Sequence, residues 1–552
     1  MGNGTKPRRL AAIDVGTNSI RLVVAEGSSD GTYRVLDDEK AVTRLGRGLA
    51  KGNRLHPDAI EDSLVAIARM KSIAEGYGVS SIRCIGTCAV REASNGAQFC
   101  QEVLERTRIT LEPISGEEEA RLAFISASYA FDLREVSSGI ADIGGGSTEL
   151  VLASGGVLDQ VYTVPLGAVR LTEEFAGVEQ AGNEAAYTQL RRRIRDVLKR
   201  EVGEPPFVPQ FVVGTGGTFT TLAAISMHRG AVPREGGMLP FATRGYELQR
   251  SELRHTLDWL RQLPVKARMR VPGLSPDRAE IIIAGLAIAE GVMRHLGVNT
   301  ARVHDRGIRD GLLLTMLREG SDDEKIRRPA PVDRAHAVRQ FAGKCRYEEQ
   351  HSQHVAELAC QIFDQIEKQA PDRLSDAQGA WGREILHSAA VLHDVGYFIN
   401  YAKHHKHSYH LIVHSDLQGF THRELEIIAN IARYHRRSEP KMRHPNFAKL
   451  GEADRGIVRR LAGILRIADG LDRTHTQTVA SVHVRLSERE ASFLLEGAEE
   501  PVVDSWGAAR KAKLFAKEFG LEPRFEWVGP RAGSAFDRET QDAPRLPQAT
   551  TP

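Results

Sequence analysis

The sequence predicts an α/β fold over its first 320 residues, then an all-α domain and a small α+β module. Three observations lead there. A chain of 552 residues is too long for one hydrophobic core and, at roughly 100 to 200 residues per domain, divides into three or four. A strand, a tight turn of small residues and a returning strand occur twice in the first half, in register. Beyond residue 333 the chain reads as helices until short strands resume near the end. The expected boundaries are 1–135 and 136–320 for two α/β domains, 333–478 for the helical domain and 479–528 for the α+β module. A disordered tail is expected at 529–552, and the charged, proline-containing stretch 321–332 reads as a linker.

The first repeat is Ala11 to Val24, AAIDVGTNSIRLVV, and the second is Gly139 to Leu152, GIADIGGGSTELVL. At an offset of 128 residues Asp14 meets Asp142, Gly16 meets Gly144, Ser19 meets Ser147 and Leu22 meets Leu150. Small residues let backbone N–H groups converge into a nest for phosphate oxygens, and an Asp opening the turn can hold a metal beside them. Either turn alone is an ordinary hairpin; two in register carry the functional reading.

Between and after the repeats lie three further segments. In Ile82 to Asn95, IRCIGTCAVREASN, Arg91 closely follows an apolar strand; it suits bidentate phosphate binding or, equally, a surface ion pair. Ile114 to Phe124, ISGEEEARLAF, breaks at Ser115 and Gly116 and opens a helix with three glutamates. The helix dipole accounts for acids in a first turn, yet water attack on a phosphoanhydride also needs a carboxylate base, for which one of them is the candidate. Val212 to Thr218, VVGTGGT, leads from a strand into a helix and can present N–H groups to another phosphate. None of these turns has a P-loop lysine or the glycine spacing of a Rossmann fingerprint.

Taken in order, these blocks resemble the exopolyphosphatase/guanosine pentaphosphate phosphatase family of the actin-like ATPase superfamily. RLGRGL at Arg44 to Leu49, PLGAVRLTE at Pro165 to Glu173 and DRGIRDGLL at Asp305 to Leu313 complete the pattern. The resemblance implies two actin-like (ribonuclease H-like) domains with a cleft between them. It further implies Glu119 as the base that activates water, with Glu118 as the alternative, and Asp142 and Glu149 as carboxylates associated with Mg²⁺ or Mn²⁺. Asp14, Asn18, Ser19, Arg91, Gly144, Gly145, Gly146, Ser147, Gly216 and Gly217 match phosphate-holding positions. A homodimer is expected from the family.

In the second half, His354, the pair His393–Asp394 and Asp469 follow the order of the HD-domain metal phosphohydrolase signature. Such residues can converge on a divalent metal when helices pack face to face. The other reading is a helical HD-like domain that binds substrate and retains them for internal hydrogen bonding. Lys403, His404, His405, Lys406 and His407 are expected to line a polyanion path, because residues 400 to 475 hold 14 Lys and Arg against 8 Asp and Glu. Runs SVHVRL and ASFLLEG read as strands, followed by a helix from Ser505 to Phe519 and the strand PRFEWV.

Composition sets the remaining limits. Hydrophobic and charged fractions of 41% and 26% are those of a globular protein. Five cysteines without a disulfide or zinc-ribbon spacing suit a reducing compartment, with Cys84 and Cys88 as buried strand residues. The apolar run Ile281 to Met293 is too short to span a bilayer, and no signal-peptide segment precedes the first strand, so a cytoplasmic protein without membrane or specific nucleic-acid partners is expected. The leading function is metal-dependent, processive hydrolysis of terminal phosphate from inorganic polyphosphate. The alternatives are a guanosine pentaphosphate 5'-phosphohydrolase and a non-catalytic module that binds guanosine polyphosphate or ATP.

Overall fold

The structure, a computed structural model, describes residues 8–28, 32–230, 243–319, 333–415 and 417–530. The expected linker 321–332 and all but the first two residues of the expected tail 529–552 lie outside the described residues. The chain forms two compact units, Met1–Ala337 with Asp416–Arg423, and Val338–Ser415 with Glu424–Pro552.

The first unit contains two sheets of the same design. Strands β1 (Arg8–Val15), β2 (Ile20–Gly27), β3 (Tyr33–Ala41), β4 (Ser81–Gly86) and β5 (Leu111–Pro113) lie in the order β3-β2-β1-β4-β5. Strands β6 (Ser137–Ile143), β7 (Thr148–Ser154), β8 (Val157–Val164), β9 (Phe211–Thr215), β10 (Glu247–Gln249) and β11 (Thr300–Val303) lie in the order β10-β11-β9-β6-β7-β8. With the edge strand β10 set aside, the second order is the first one repeated. In each sheet an antiparallel hairpin is extended by a parallel strand, β4 beside β1 and β9 beside β6. The duplication seen in two turns therefore extends to the whole sheet.

Strands β1 and β2 are buried on both faces, which explains their nearly continuous apolar sequence. Ala11, Ile13 and Val15 enter one core with Leu22 and Val24, whereas Leu10 and Ala12 enter another with Val23 and Ala25. That second core also takes Ile140, Val151 and Ala153 from the other sheet, so it is common to both. Two helices fill it: Gly116–Ala130 through Ala120, Leu122, Ala123 and Ala127, and Ile308–Glu319 through Leu312, Leu313 and Met316. They approach closely at Gly311, where a Cβ would strike the Leu122 carbonyl. Cys84 is a buried β4 residue as expected, but Cys88 opens the short helix Cys88–Glu92 and is not in a strand. All five cysteines are free thiols.

The second unit carries the helices Glu349–Gln369, Gly379–Leu392, His404–Val413 and Glu452–Leu471, with most of His422–Arg433. A three-stranded sheet follows, β12 (Ser481–Leu486), β13 (Glu490–Glu496) and β14 (Glu522–Gly529), with β13 central. The single helix expected at 505–519 is two, Val502–Lys511 and Lys513–Phe519, broken where the Ala512 N–H turns to Ala509 O. No helix among the described residues is long and apolar enough to cross a membrane.

The open edge of β12 is closed by glutamines. Gln361, Gln365 and Gln369 stand four residues apart on one helix, and their side-chain oxygens accept from the N–H groups of Val482, Val484 and Leu486 at 3.0, 2.7 and 3.0 Å. Gln365 and Gln369 also donate to Val482 O and Val484 O at 2.8 and 2.7 Å. Four helical residues rise about 6 Å and two strand residues about 6.6 Å, so the two repeats keep step over this length. Gln365→Ala leaves two strand groups without partners and should cost about 1–3 kcal/mol. Amide exchange at Val484 should quicken accordingly; unchanged exchange would show that the glutamine row does not hold the strand.

Candidate active site

The cleft of the first unit is framed by the two glycine turns. Gly16 N–H donates to Ser19 O at 3.2 Å in one, and Gly144 N–H to Ser147 O at 3.0 Å in the other. The turns abut. A Cβ on Gly145 would come within 3.0 Å of Thr17 Cβ, and one on Gly146 within 2.9 Å of Thr17 Oγ1 and closer still to Cys88 Sγ. Glycine is required here because backbone from one repeat meets side chains from the other. Asn18, Ser19 and the segment Gly144 to Ser147 all line the resulting cavity.

Asp14 and Asp142 end β1 and β6 at equivalent positions and line the same cavity. Strand register then pairs Asp14 with Arg21 and Asp142 with Glu149. The first repeat thus offers an acid and a base, the second two acids. Ser147 Oγ donates to Glu149 Oε1 at 2.6 Å. Gly216 starts the helix Gly216–Gly230 with a left-handed φ of 82°, and a Cβ there would sit 2.8 Å from Asp142 Oδ1. At Gly217 a Cβ would land on the Arg278 guanidinium. The helix therefore brings its positive end to the cavity wall.

Ser115 caps the helix Gly116–Ala130, its Oγ accepting from Glu118 N–H at 3.1 Å, and this fixes which glutamate faces inward. Glu119 is 5% exposed and lines the cavity. Glu118 turns outward and is held by Arg121 through two bonds of 2.7 Å. Arg91, expected to hold phosphate, hydrogen-bonds the Glu119 carboxylate and donates to Ile114 O at 2.7 Å. A buried carboxylate needs such a partner, so in this structure the arginine positions an acid.

Asp14, Glu119, Asp142 and Glu149 share this enclosure with Asp305, which accepts from Arg244 at 2.9 Å. Burial pushes Asp14 up to about 6, with the nearby Asp142 adding to the shift and Arg309 opposing it. Burial likewise pushes Glu119 up to about 7 against the pull of Arg91, and both Asp142 and Glu149 are raised by burial. Asp14 Oδ1 and Asn18 Nδ2 are buried without hydrogen-bond partners. Carboxylate oxygens are the donors a hard divalent cation such as Mg²⁺ or Mn²⁺ takes, and Asp14, Asp142 and Glu149 are the residues of the cleft that could supply them. Four arginines that sequence reasoning did not single out also line the cavity: Arg21, Arg278, Arg306 and Arg309. Arg21 was legible as the counterpart of Glu149 at the 128-residue offset, and Arg309 lies in DRGIRDGLL. No sequence signal marks Arg278.

In the second unit His393, Asp394 and Asp469 converge, with His393 Nε2 3.4 Å from Asp394 Oδ2 and 4.0 Å from Asp469 Oδ1. His354 does not join them. It lies seven residues before Gln361, on the stripe that serves the sheet, and its Nε2 bonds Val479 O at 2.8 Å. His351, three residues earlier, takes the place and stands 3.9 Å from Asp469 Oδ1. The run from Lys403 to His407 is not one surface either, because helical periodicity divides it. Lys403 and Lys406 are exposed and His407 half-buried, whereas His404 and His405 are buried.

A family model described as the Ppx/GppA phosphatase family matches residues 23–319, and one described as Ppx/GppA phosphatase, domain III matches residues 334–514. An uncharacterised protein of Streptomyces coelicolor is 31% identical over 334 residues, which are 59% of this chain and 97% of the relative. The crystal structure of an Aquifex aeolicus Ppx/GppA family member is 28% identical and covers 57% of this chain and 99% of its own, with a TM-score of 0.49. That of an exopolyphosphatase from Cytophaga hutchinsonii covers the same shares at 24% identity, with a TM-score of 0.51, a likeness of fold.

Raised carboxylate pKa values make the cation-free protein pH-sensitive. A protonated Asp14 stabilises the fold below its unfolded pKa near 3.8, and that stability is lost as pH rises through about 6. In the presence of chelator, Asp14→Asn should therefore gain stability over the parent between pH 4 and 7, by about 3 kcal/mol at most. Thermal melting of both proteins across this range checks it, and a difference that is flat with pH contradicts the burial of an ionised Asp14.

Proposed function

The chain belongs to the Ppx/GppA phosphatase family, and from that premise we propose that its cleft removes the terminal phosphate of inorganic polyphosphate with an activated water. The observation that carries this reading is the placement of Glu119. It is the one glutamate of three turned into a cavity whose wall also carries two glycine turns, a helix N-terminus and arginines. Its pKa, raised to about 7 by burial, suits a base that must take a proton near neutral pH.

The chemistry then follows from this chain's own groups. Glu119 accepts a proton from water as the water oxygen bonds to the terminal phosphorus. The bridging phosphorus–oxygen bond breaks, and orthophosphate leaves a chain one unit shorter. Arg91 keeps the Glu119 carboxylate facing inward, and its pull prevents the pKa from rising further. Arg21, Arg278, Arg309 and the N–H groups of the turns meet charge that spreads over the phosphoryl oxygens, where preorganised donors act most strongly. A divalent cation held by Asp14, Asp142 and Glu149 would neutralise further charge on those oxygens.

Polyphosphate is the leading substrate, and guanosine pentaphosphate, whose triphosphate end would enter the same cleft, is the alternative. Five free thiols support the cytoplasm as the compartment.

With Mg²⁺, phosphate release from long-chain polyphosphate should exceed that from guanosine pentaphosphate in kcat/KM. Glu119→Gln should lower kcat by about 10²- to 10⁴-fold, with KM little changed. A preference for the nucleotide would replace the substrate assignment, and hydrolysis of neither would leave a binding role.

A further inference from the structure

Away from the cleft, the first unit carries a groove between three helices, Glu184–Glu201, Arg250–Arg261 and Ile282–His295. Their apolar sides pack in one core with the second sheet, through Leu190, Ile194, Leu253, Leu257 and Ile288 among others. The sides that meet in the groove are basic. Arg191 comes from the first helix, Arg250, Arg254 and Arg261 from the second and Arg294 from the third, around a cavity of about 400 Å³.

Three carboxylates also line this cavity, and two of the arginines take them all. Arg261, 8% exposed, bonds Glu184 and, at 3.1 Å, Asp258, and lies 3.6 Å from the centroid of the Tyr187 ring. Arg294 stands 3.4 Å from the buried Glu290. Arg191, Arg250 and Arg254 are left without a carboxylate partner among the described residues. The arginines that follow Arg191 show the contrast: Arg192, Arg193 and Arg195 each face a carboxylate, at 3.8, 3.2 and 3.3 Å. Arg191 has only the Tyr187 ring, 5.8 Å away.

Arg250 and Arg254 are also placed against local electrostatics. Four residues apart on a helix, their Cβ atoms are about 5–6 Å from each other, a spacing at which like charges repel. Arg250 is the first residue of its helix, the end where the dipole disfavours a cation, and Gln249 before it supplies no side-chain cap. The same two arginines line a second cavity of about 270 Å³ with Gln249, Ser251 and Asn299. Three guanidinium groups gathered in this way repel one another unless an anion stands among them.

We propose that this groove is an anion site separate from the cleft, and that its ligand is a short condensed phosphate seated on Arg191, Arg250 and Arg254. The planar fork of a guanidinium matches phosphoryl oxygens in pairs. A single orthophosphate brings less charge than three guanidinium groups call for, whereas pyrophosphate or a longer chain spreads more charge along one extended molecule. Extension fits the site, because Arg250 and Arg254 are common to both cavities and a chain resting on them can enter each. The site rests on the groove alone and holds whether or not the cleft hydrolyses polyphosphate.

Phenylglyoxal modification of the full-length protein in chelator, with and without sodium tripolyphosphate, tests this when the modified arginines are mapped by peptide mass spectrometry. Tripolyphosphate should slow modification of Arg191, Arg250 and Arg254 severalfold, while the exposed Arg195, paired with Asp196, reacts as before. Arg254→Gln should remove the protection of Arg191 and Arg250, and Arg191→Gln that of the other two. Wild type decides even if a variant misfolds: groove arginines that react equally with and without tripolyphosphate overturn the site. Equal protection by orthophosphate or by citrate at the same concentration overturns the condensed-phosphate assignment. Glu119→Gln should show the protection of wild type, so failure of the cleft chemistry and failure of the groove are read separately.

Discussion

Four carboxylates buried in one cleft, Asp14, Glu119, Asp142 and Glu149, set the terms for the rest of the first unit. Each is raised above its ordinary pKa by loss of water, and several raise one another. Such a cluster survives only with compensating positive charge. Arg91 meets Glu119, while Arg309 opposes the shift at Asp14 and is itself held by Asp38 at 2.9 Å and Leu22 O at 3.0 Å. The negative charge left uncompensated is what would draw a cation to the site in the proposed reading, and the raised pKa of Glu119 suits it to accept a proton.

Duplication is the means by which these groups are brought together. Two hairpins with the same turn hydrogen bond meet through Thr17, Gly145 and Gly146. One substitution in the repeat, Arg21 where the other copy has Glu149, makes the two walls chemically different. The core common to both sheets then fixes their spacing through the helices Gly116–Ala130 and Ile308–Glu319. Those same helices deliver Glu119 and Arg309 to the cavity, so packing and chemistry share their supports.

Much of this was legible in the sequence because it is local. The turns at Gly16 and Gly144, the helix that opens after the break at Ser115 and Gly116, and the strands SVHVRL and ASFLLEG follow from spacing within a few residues, and the structure has them where they were expected. What was missed depends on direction over longer range. His351 and His354 are three residues apart on one helix, and only the position of β12 and its glutamine partners shows that His354 serves the sheet. The run Lys403 to His407 looks like one charged surface in sequence, yet the helix begun at His404 turns two of its histidines into the core. Arg278 lies in no motif, and its role appears only once distant segments are packed.

In the proposed reaction a chain end is held by the glycine turns while the buried Glu119 directs water at it. A crystal structure of Glu119→Gln with Mg²⁺ and a short polyphosphate tests this most directly. The terminal phosphate should rest on the backbone of Gly144 to Ser147 and on Gly216 and Gly217, with a water between residue 119 and the terminal phosphorus. A chain end bound elsewhere, or residue 119 turned away from it, would contradict this role of Glu119 and the turns.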